Sequence, residues 1–211
     1  YAYRTRRENI ISLDLEPGAP FNDVEMSQMI GISRTPVREA VIQLSEESRI
    51  IEIFPQRGMR IALIDVELVE EARFLRLVLE KAAVELVCGQ ADEEDLQWLD
   101  ENIRLQEFYL EGGSSQKLLE LDNKMHRKLF SICRKELTYE MCQRLAIHYD
   151  RIRSLSVATV KDHKIIEDHK KLLEAIRSRD KKKAAETMDL HLNRWMMNEQ
   201  MFRNQYPAYF K

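Results

Sequence analysis

Hydrophobic positions follow two different rhythms along the chain, and the change falls near residue 64. Before it, apolar segments are short and separated by turn residues: Pro17-Gly18, Gly31, and the stretch from Pro55 to Gly58. Residues 23–30, with Val24, Met26, Met29 and Ile30 apolar, suit a short helix that Gly31 breaks. Ser33 caps a second helix whose apolar face is Val37, Ala40, Val41 and Leu44. Two short helices across a tight glycine turn predict a helix-turn-helix. The β-prone runs 50–54 and 59–62, separated by Pro55-Gln56-Arg57-Gly58, predict a hairpin, or wing.

Beyond residue 64 the period becomes helical. Leu68, Ala72, Leu75, Leu79, Ala82 and Leu86 recur at three and four until Gly89. Asp92 is a good N-cap for a second helix through Leu96, Leu99, Ile103 and Leu110, ending at Gly112-Gly113. Further helices are predicted over about 115–132, 138–158 and 162–177, and from the Asp180 cap past Trp195. The expected fold is therefore mainly α. A winged helix-turn-helix with a small β wing occupies residues 1–64, and an antiparallel bundle of about six helices occupies residues 65–211.

Composition narrows the class. With 44% hydrophobic and 33% charged residues, and only six Gly and five Pro, the chain is built to fold around a real core. No stretch approaches the roughly 20 uncharged apolar residues of a membrane span, and residues 1–7 lack the apolar core of a secretory signal, so a cytoplasmic protein without a membrane partner is expected. The first residue is Tyr1 rather than Met, which implies that some native N-terminal residues precede it. Cys88, Cys133 and Cys142 form no Cys-x-x-Cys pair and read as reduced, buried thiols. The net charge is −3, and residues 1–64 hold eight Arg and no Lys against nine Asp and Glu. DNA binding by this segment must rest on where the arginines sit, because phosphate neutralisation is local. Arg34 and Arg38 lie one turn apart near the start of the second helix, where a recognition helix meets base edges, and Arg57 falls at the wing tip. From spacing alone, the two helix arginines could equally decorate a solvated face.

Four polar residues interrupt the apolar stripes of the bundle. Asp122 and His126, one turn apart, sit among Leu118, Met125 and Leu129; His169 falls among Ile165, Leu172 and Ile176; His191 falls among Met188, Leu192 and Trp195. If the last two helices form a hairpin turning at Asp180, His169 lies 180 − 169 = 11 residues before the turn and His191 lies 191 − 180 = 11 after it. Equal offsets put the imidazoles at one height. Three nitrogens and one oxygen suit a divalent metal, zinc first, with nickel or manganese as alternatives. The competing reading is a set of separately hydrogen-bonded core histidines. His163 reads as a surface residue at a helix start, and His148 as structural or cavity-lining.

The run Gly31-Ile32-Ser33-Arg34-Thr35-Pro36-Val37-Arg38-Glu39-Ala40 resembles the DNA-reading segment of the GntR family of bacterial regulators, with Pro17-Gly18 and Arg57-Gly58 at the expected places. The resemblance implies operator contact through Arg34, Thr35, Arg38, Arg57 and Gly58. The chain departs from the family's Glu-Gly-Leu at the helix end, where Glu47-Ser48-Arg49-Ile50 supplies no glycine for a left-handed cap. The Asp-x3-His element, His169 before Leu172-Leu173-Glu174-Ala175-Ile176, and His191-Leu192 resemble the FCD effector domain of the FadR subgroup. That resemblance implies metal ligands at Asp122, His126, His169 and His191, with an effector carboxylate beside them. Arg76-Leu77-Val78-Leu79-Glu80 is similar to the family's Arg-x-x-Leu-Glu. Arg76 is thus the first effector-binding residue and Arg153 the second, since a guanidinium offers a carboxylate two parallel donors.

These readings converge on a homodimeric transcription regulator whose operator affinity is set by a small organic acid. Two rivals share the residues. A metal sensor would take the ion itself as signal. A metal-dependent hydrolase would use open coordination positions to activate water, but no general base or nucleophile pair accompanies the four ligands, and no enzyme is expected.

Overall fold

The computed structural model describes residues 8–160, 163–194 and 198–211. Trp195 and residues 1–7, which entered the sequence reading, lie outside them. The first half of the reading head is α1 (Asp23–Ile30) and α2 (Arg34–Ser48), joined through Gly31, whose φ of 69° closes α1 with a left-handed cap. Asn22 caps the start of α1 by accepting from the Val24 N–H at 2.9 Å. Val37, Val41 and Leu44 turn the buried face of α2 into the head's own core with Phe21, Ile50, Ile51 and Ile61.

The wing is β2 (Ile51–Phe54) against β3 (Gly58–Ile61), antiparallel, with Ile51 opposite Ile61 and Phe54 opposite Gly58. A further strand that hydropathy did not reveal, β1 (Pro20–Phe21), pairs with the other edge of β3, giving the order β1-β3-β2. Two residues are too short a run for any period to show. At the wing tip Pro55 and Gln56 occupy the turn centre, Gln56 at φ 62°, and the Arg57 N–H returns to the Phe54 carbonyl at 3.0 Å.

The second part is helical: α3 (Val66–Gln90), α4 (Glu93–Glu111), α5 (Ser115–Ile132), α6 (Glu136–Leu145), α7 (Ile147–Thr159), α8 (Lys164–Arg177), α9 (Lys181–Asn193) and the short α10 (Glu199–Gln205). The N-caps expected at Asp92 and Asp180 are present, Asp92 within a reciprocal capping box with Asp95. The helix expected over 138–158 is two helices, because the chain breaks at Ala146 (ψ 0°), and a terminal helix follows, so the bundle exceeds the six expected.

On α3 the hydrophobic repeat marks the helix but does not coincide with its core face. The buried stripe is Val69, Ala72, Arg76, Glu80, Ala83, Val84 and Val87, whereas Leu75 and Leu79 are half-buried and Ala82 and Leu86 are exposed. Two charged residues occupy the middle of the buried stripe, and apolar residues also cover the outer face, so the leucine repeat follows a flank.

The two halves meet through shared packing. Ile147 of α7 inserts into the core of the reading head. The connecting segment runs against the chain's end: the Ile64 N–H bonds to the Tyr209 carbonyl at 2.8 Å and the Lys211 N–H to the Ile64 carbonyl at 3.1 Å. Ile64, Val69, Ile152, Phe202 and Phe210 form an apolar cluster around this crossing.

Candidate functional site

The amphipathic helices α5, α8 and α9 aim the four polar interruptions at one point. His169 Nε2 lies 3.4 Å from His191 Nε2, which lies 3.3 Å from His126 Nε2. Asp122 closes the group, Oδ2 at 3.6 Å from His126 Nε2 and Oδ1 at 3.4 Å from His169 Nε2. The four ligand atoms lie within 4.8 Å of one another. Metal–nitrogen bonds of about 2.1 Å place tetrahedral ligands roughly 3.4 Å apart, so the donors stand at the separations that bound ligands have.

The outer nitrogens explain the orientation. Asp/Glu and amide oxygens can only accept from an imidazole, so His126 donates from Nδ1 to Glu80 at 2.5 Å and His169 donates from Nδ1 to Gln106 Oε1 at 2.9 Å. Both then present an Nε2 lone pair inward. Gln106 is itself held by Asn102, 2.7 Å away, and Glu80 by the Arg76 Nε–H, also 2.7 Å away. His191 directs Nδ1 toward Asp168 at 3.9 Å. Converging lone pairs and a carboxylate in a buried site repel one another unless a cation lies between them.

Electrostatics reinforce this arrangement. Burial lowers His169 to about 4, and burial followed by the charges of His169 and His126 lowers His191 well below its ordinary value, so both imidazoles are neutral at pH 7. Burial alone would raise Asp122, but Arg153 and the three histidines outweigh it and keep the carboxylate ionised. Glu80 is similarly held down to about 2, against its burial, by Arg76 and His126.

A cavity of ≈ 50 Å³ adjoins the cluster, with Arg76, Asp122, Tyr149, Arg153, His191 and Arg194 among its walls. Arg76 is not a surface residue: it is 1% exposed, its guanidinium lies 5.0 Å from the Tyr149 ring centroid, and Nη1 and Nη2 are buried without partners. Arg153 is differently placed. It pairs with Asp122, bonds Asp150 at 2.8 Å and Asn123 at 2.9 Å, and so spends its donors orienting a cluster carboxylate. Arg194, which no sequence pattern singled out, reaches the same cavity while paired with Asp168, one contact being 2.6 Å. Glu80, Gln106, Asn102 and Asp168 were also missed, although Glu80 and Gln106 could have been found as charged or amide residues interrupting an apolar stripe.

His148 is buried and accepts from the Asp65 N–H at 3.3 Å, so it is structural, and His163 is exposed at the start of α8. In the reading head Arg34, Thr35 and Arg38 are exposed at the start of α2, and Arg57 and Gly58 are exposed at the wing tip. Arg34 lies 3.5 Å from Asp23, a contact that offsets part of its charge. Arg49 takes the left-handed position (φ 53°) that ends α2. Cys88, Cys133 and Cys142 are buried free thiols. Among the described residues no helix is long and apolar enough to cross a membrane.

The sequence profile of the bacterial regulatory proteins of the gntR family matches residues 2–61, and that of the FCD domain matches residues 71–194. The HTH-type transcriptional repressor RspR of Escherichia coli is 28% identical over 209 residues, covering 99% of this chain and 91% of that protein. The HTH-type transcriptional regulator YdhC of Bacillus subtilis is 26% identical, covering 90% and 86%. The solved structure of E. coli McbR/YncC superposes with a TM-score of 0.81 at 19% identity, covering 97% of this chain and 96% of that one, which shows a shared fold.

Proposed function

Because this chain belongs to the GntR family of bacterial regulatory proteins and carries an FCD domain, and is thus a DNA-binding transcription regulator rather than an enzyme, we propose that a small carboxylate binding beside a metal in residues 65–211 controls operator affinity in residues 1–64. The observation that carries this reading is Arg76, a fully buried guanidinium with two unpartnered nitrogens in the wall of a cavity that also touches Asp122 and His191. Leaving those donors unsatisfied is costly, and a carboxylate accepts from both at once. Asp122, His126, His169 and His191 would hold a divalent ion, zinc first and nickel or manganese as alternatives. The ion would supply a positive charge at the cavity wall that attracts the acid.

Operator contact falls to Arg34, Thr35 and Arg38 at the start of α2, and to Arg57 and Gly58 at the wing. Two such heads held in a homodimer read two half-sites about one DNA turn apart. The protein acts where the genome is, in the cytoplasm. Helix α7 supports a route between the functions. Tyr149 and Arg153 line the cavity, while Ile147 packs in the head's core, His148 holds the Asp65 N–H, and Arg151 donates to the Ala62 carbonyl at 2.7 Å.

Calorimetry of zinc-loaded protein with citrate, malate and gluconate tests the anion site. At least one acid should bind the parent, and Arg76→Ala should keep the metal while weakening that acid at least 10-fold, the loss of a charge-assisted pair being worth roughly 1.5–3 kcal/mol. Unchanged binding in Arg76→Ala would remove the anion site. A second reading, a metal sensor, is favoured by the small cavity, since ligand pockets commonly enclose about 300–1,000 Å³. A sensor's operator affinity would follow free zinc and ignore all three acids.

A further inference from the structure

The cavity beside Asp122 and the histidine cluster has a polar layer and an apolar one, and the helices set them apart. On α5 Leu118 stands one turn before Asp122, on α7 Val157 stands one turn after Arg153, and on α8 Ile165 stands one turn before His169. Four residues of helix advance about 6 Å, so three helices each pass from a polar residue to an apolar one in the same step. Leu118, Leu119, Val157 and Ile165 wall the apolar side of the cavity. Leu118 and Val157 also wall a second space of ≈ 230 Å³, with Tyr109 and Leu110 beyond them, which reaches the surface at the exposed Gly113 and Ala158. The inner cavity and this outer groove therefore meet between Leu118 and Val157.

We propose that the effector is a monocarboxylate with an apolar tail and that Leu118 and Val157 select it, an inference that rests on the carboxylate site proposed above and names its ligand class. Charge limits the ligand to one acid group. Arg76 has two nitrogens without partners, whereas the other guanidiniums in the wall are committed, Arg153 to Asp122 and Asp150 and Arg194 to Asp168. A second carboxylate one layer further out would meet Leu118, Val157 and Ile165 and lose its water with no cation to replace it. A chain of hydroxyls fares little better. The Tyr149 hydroxyl is already bonded to the Leu192 carbonyl at 3.2 Å, and Ser156 and Asn198 are too few partners for a polyhydroxylated chain. A hydrocarbon tail meets the apolar layer without this cost, and each methylene buried there adds to affinity.

Space points the same way. The inner cavity, at ≈ 50 Å³, is small for a ligand by itself. A tail that passes between Leu118 and Val157 gains the room of the outer groove, so these two residues read the length of the ligand as well as its polarity.

Calorimetry of the full zinc-loaded chain with acetate, pentanoate, glutarate and gluconate tests the assignment. Acetate offers the carboxylate alone, and glutarate matches pentanoate in carbon number but carries a second charge. Pentanoate is expected to bind roughly 30-fold more tightly than acetate, since each further methylene it buries is worth about four-fold. It should also bind at least about 10-fold more tightly than glutarate or gluconate, whose polar groups are desolvated unpaired. Val157→Trp, with folding checked by circular dichroism, should weaken pentanoate at least about 10-fold and acetate less than about two-fold, because the added ring fills only the way outward. Val157→Thr keeps the shape and should weaken pentanoate roughly five-fold through its hydroxyl, again sparing acetate. Glutarate or gluconate binding more tightly than pentanoate, pentanoate binding no more tightly than acetate, or pentanoate binding unchanged in both Val157 variants would overturn the apolar end and leave the carboxylate site standing. No binding of any of the four acids would overturn the carboxylate site and this ligand class with it.

Discussion

At the scale of single residues, the candidate functional positions are those that violate the local pattern. Arg76 and Glu80 stand where α3 should bury leucine, and His126, His169 and His191 stand on the apolar stripes of three helices. Several of the site's polar groups have a specific partner: Glu80 for His126, Gln106 for His169, Arg153 for Asp122. Two buried imidazoles held neutral by burial, His148 and His169, make the protein acid-sensitive. Burial lowers both His148 and His169 to about 4, from an ordinary 6.5. Above pH 6.5 each is neutral folded and unfolded, and contributes nothing to the pH dependence. Between pH 6.5 and 4 the unfolded chain takes up protons that the folded chain refuses, so stability falls as pH falls, by on the order of a few kcal/mol per group. The melting temperature of chelator-treated protein should therefore drop through this window, and His148→Gln should make the drop shallower. A flat profile from pH 6.5 to 4.5 in the parent would contradict the burial of uncharged histidines.

At the scale of elements, the helix-turn-helix, the wing hairpin and most bundle helices were legible because each carries a strong period bounded by recognisable caps, such as Gly31, Asp92 and Asp180. The break at Ala146 was not, since Leu145, Ala146 and Ile147 continue a helical composition and only tertiary packing, which draws Ile147 into the reading head's core, separates α6 from α7. The core face of α3 was not legible for a related reason: apolar residues cover two sides of the helix, and hydropathy cannot tell which of them is buried. That four polar residues of the bundle come together was legible, His169 and His191 through equal offsets about Asp180 and Asp122 and His126 through their one-turn spacing. The pairing of Glu80 with His126 and of Gln106 with His169 was not, because they lie on other helices at no fixed sequence interval, even though each interrupts an apolar stripe. The missing glycine after α2 has a measurable consequence. Arg49 adopts φ 53°, which costs a non-glycine residue roughly 1 kcal/mol. Arg49→Gly should relieve part of that and raise the melting temperature by a few degrees; a lower melting temperature would show that Arg49's side chain matters more than its backbone.

At the scale of the whole molecule, the reading head and the helical bundle are joined by α7 and by the segment that leads from β3 into α3. Arg151 is the tie most open to test. It is fully buried, its Nη2 donates to the Ala62 carbonyl, Nε and Nη1 have no partner, and burial lowers its pKa to about 10. Buried charges of this kind are poor stabilisers, and an apolar side chain of similar volume often replaces them without loss. Arg151→Met should therefore retain thermal stability, acid binding and basal operator affinity, but reduce the change in operator affinity that the acid produces, because the bond joining α7 to the connecting segment is gone. If the response persisted in full, coupling would have to pass elsewhere, through Ile147 or the Ile64–Phe210 crossing.

A ligand shifts operator affinity only by the difference between its affinities for the two arrangements of the heads. The most direct measurement is therefore operator affinity of the zinc-loaded protein at fixed salt, by fluorescence anisotropy, with and without each acid that calorimetry shows to bind. The expected result is a change of at least about 5-fold, in line with ordinary allosteric coupling, for an acid whose binding requires Arg76, and loss of that change when zinc is removed. Operator affinity that tracks free zinc alone, unmoved by any acid that binds, would contradict control by a carboxylate.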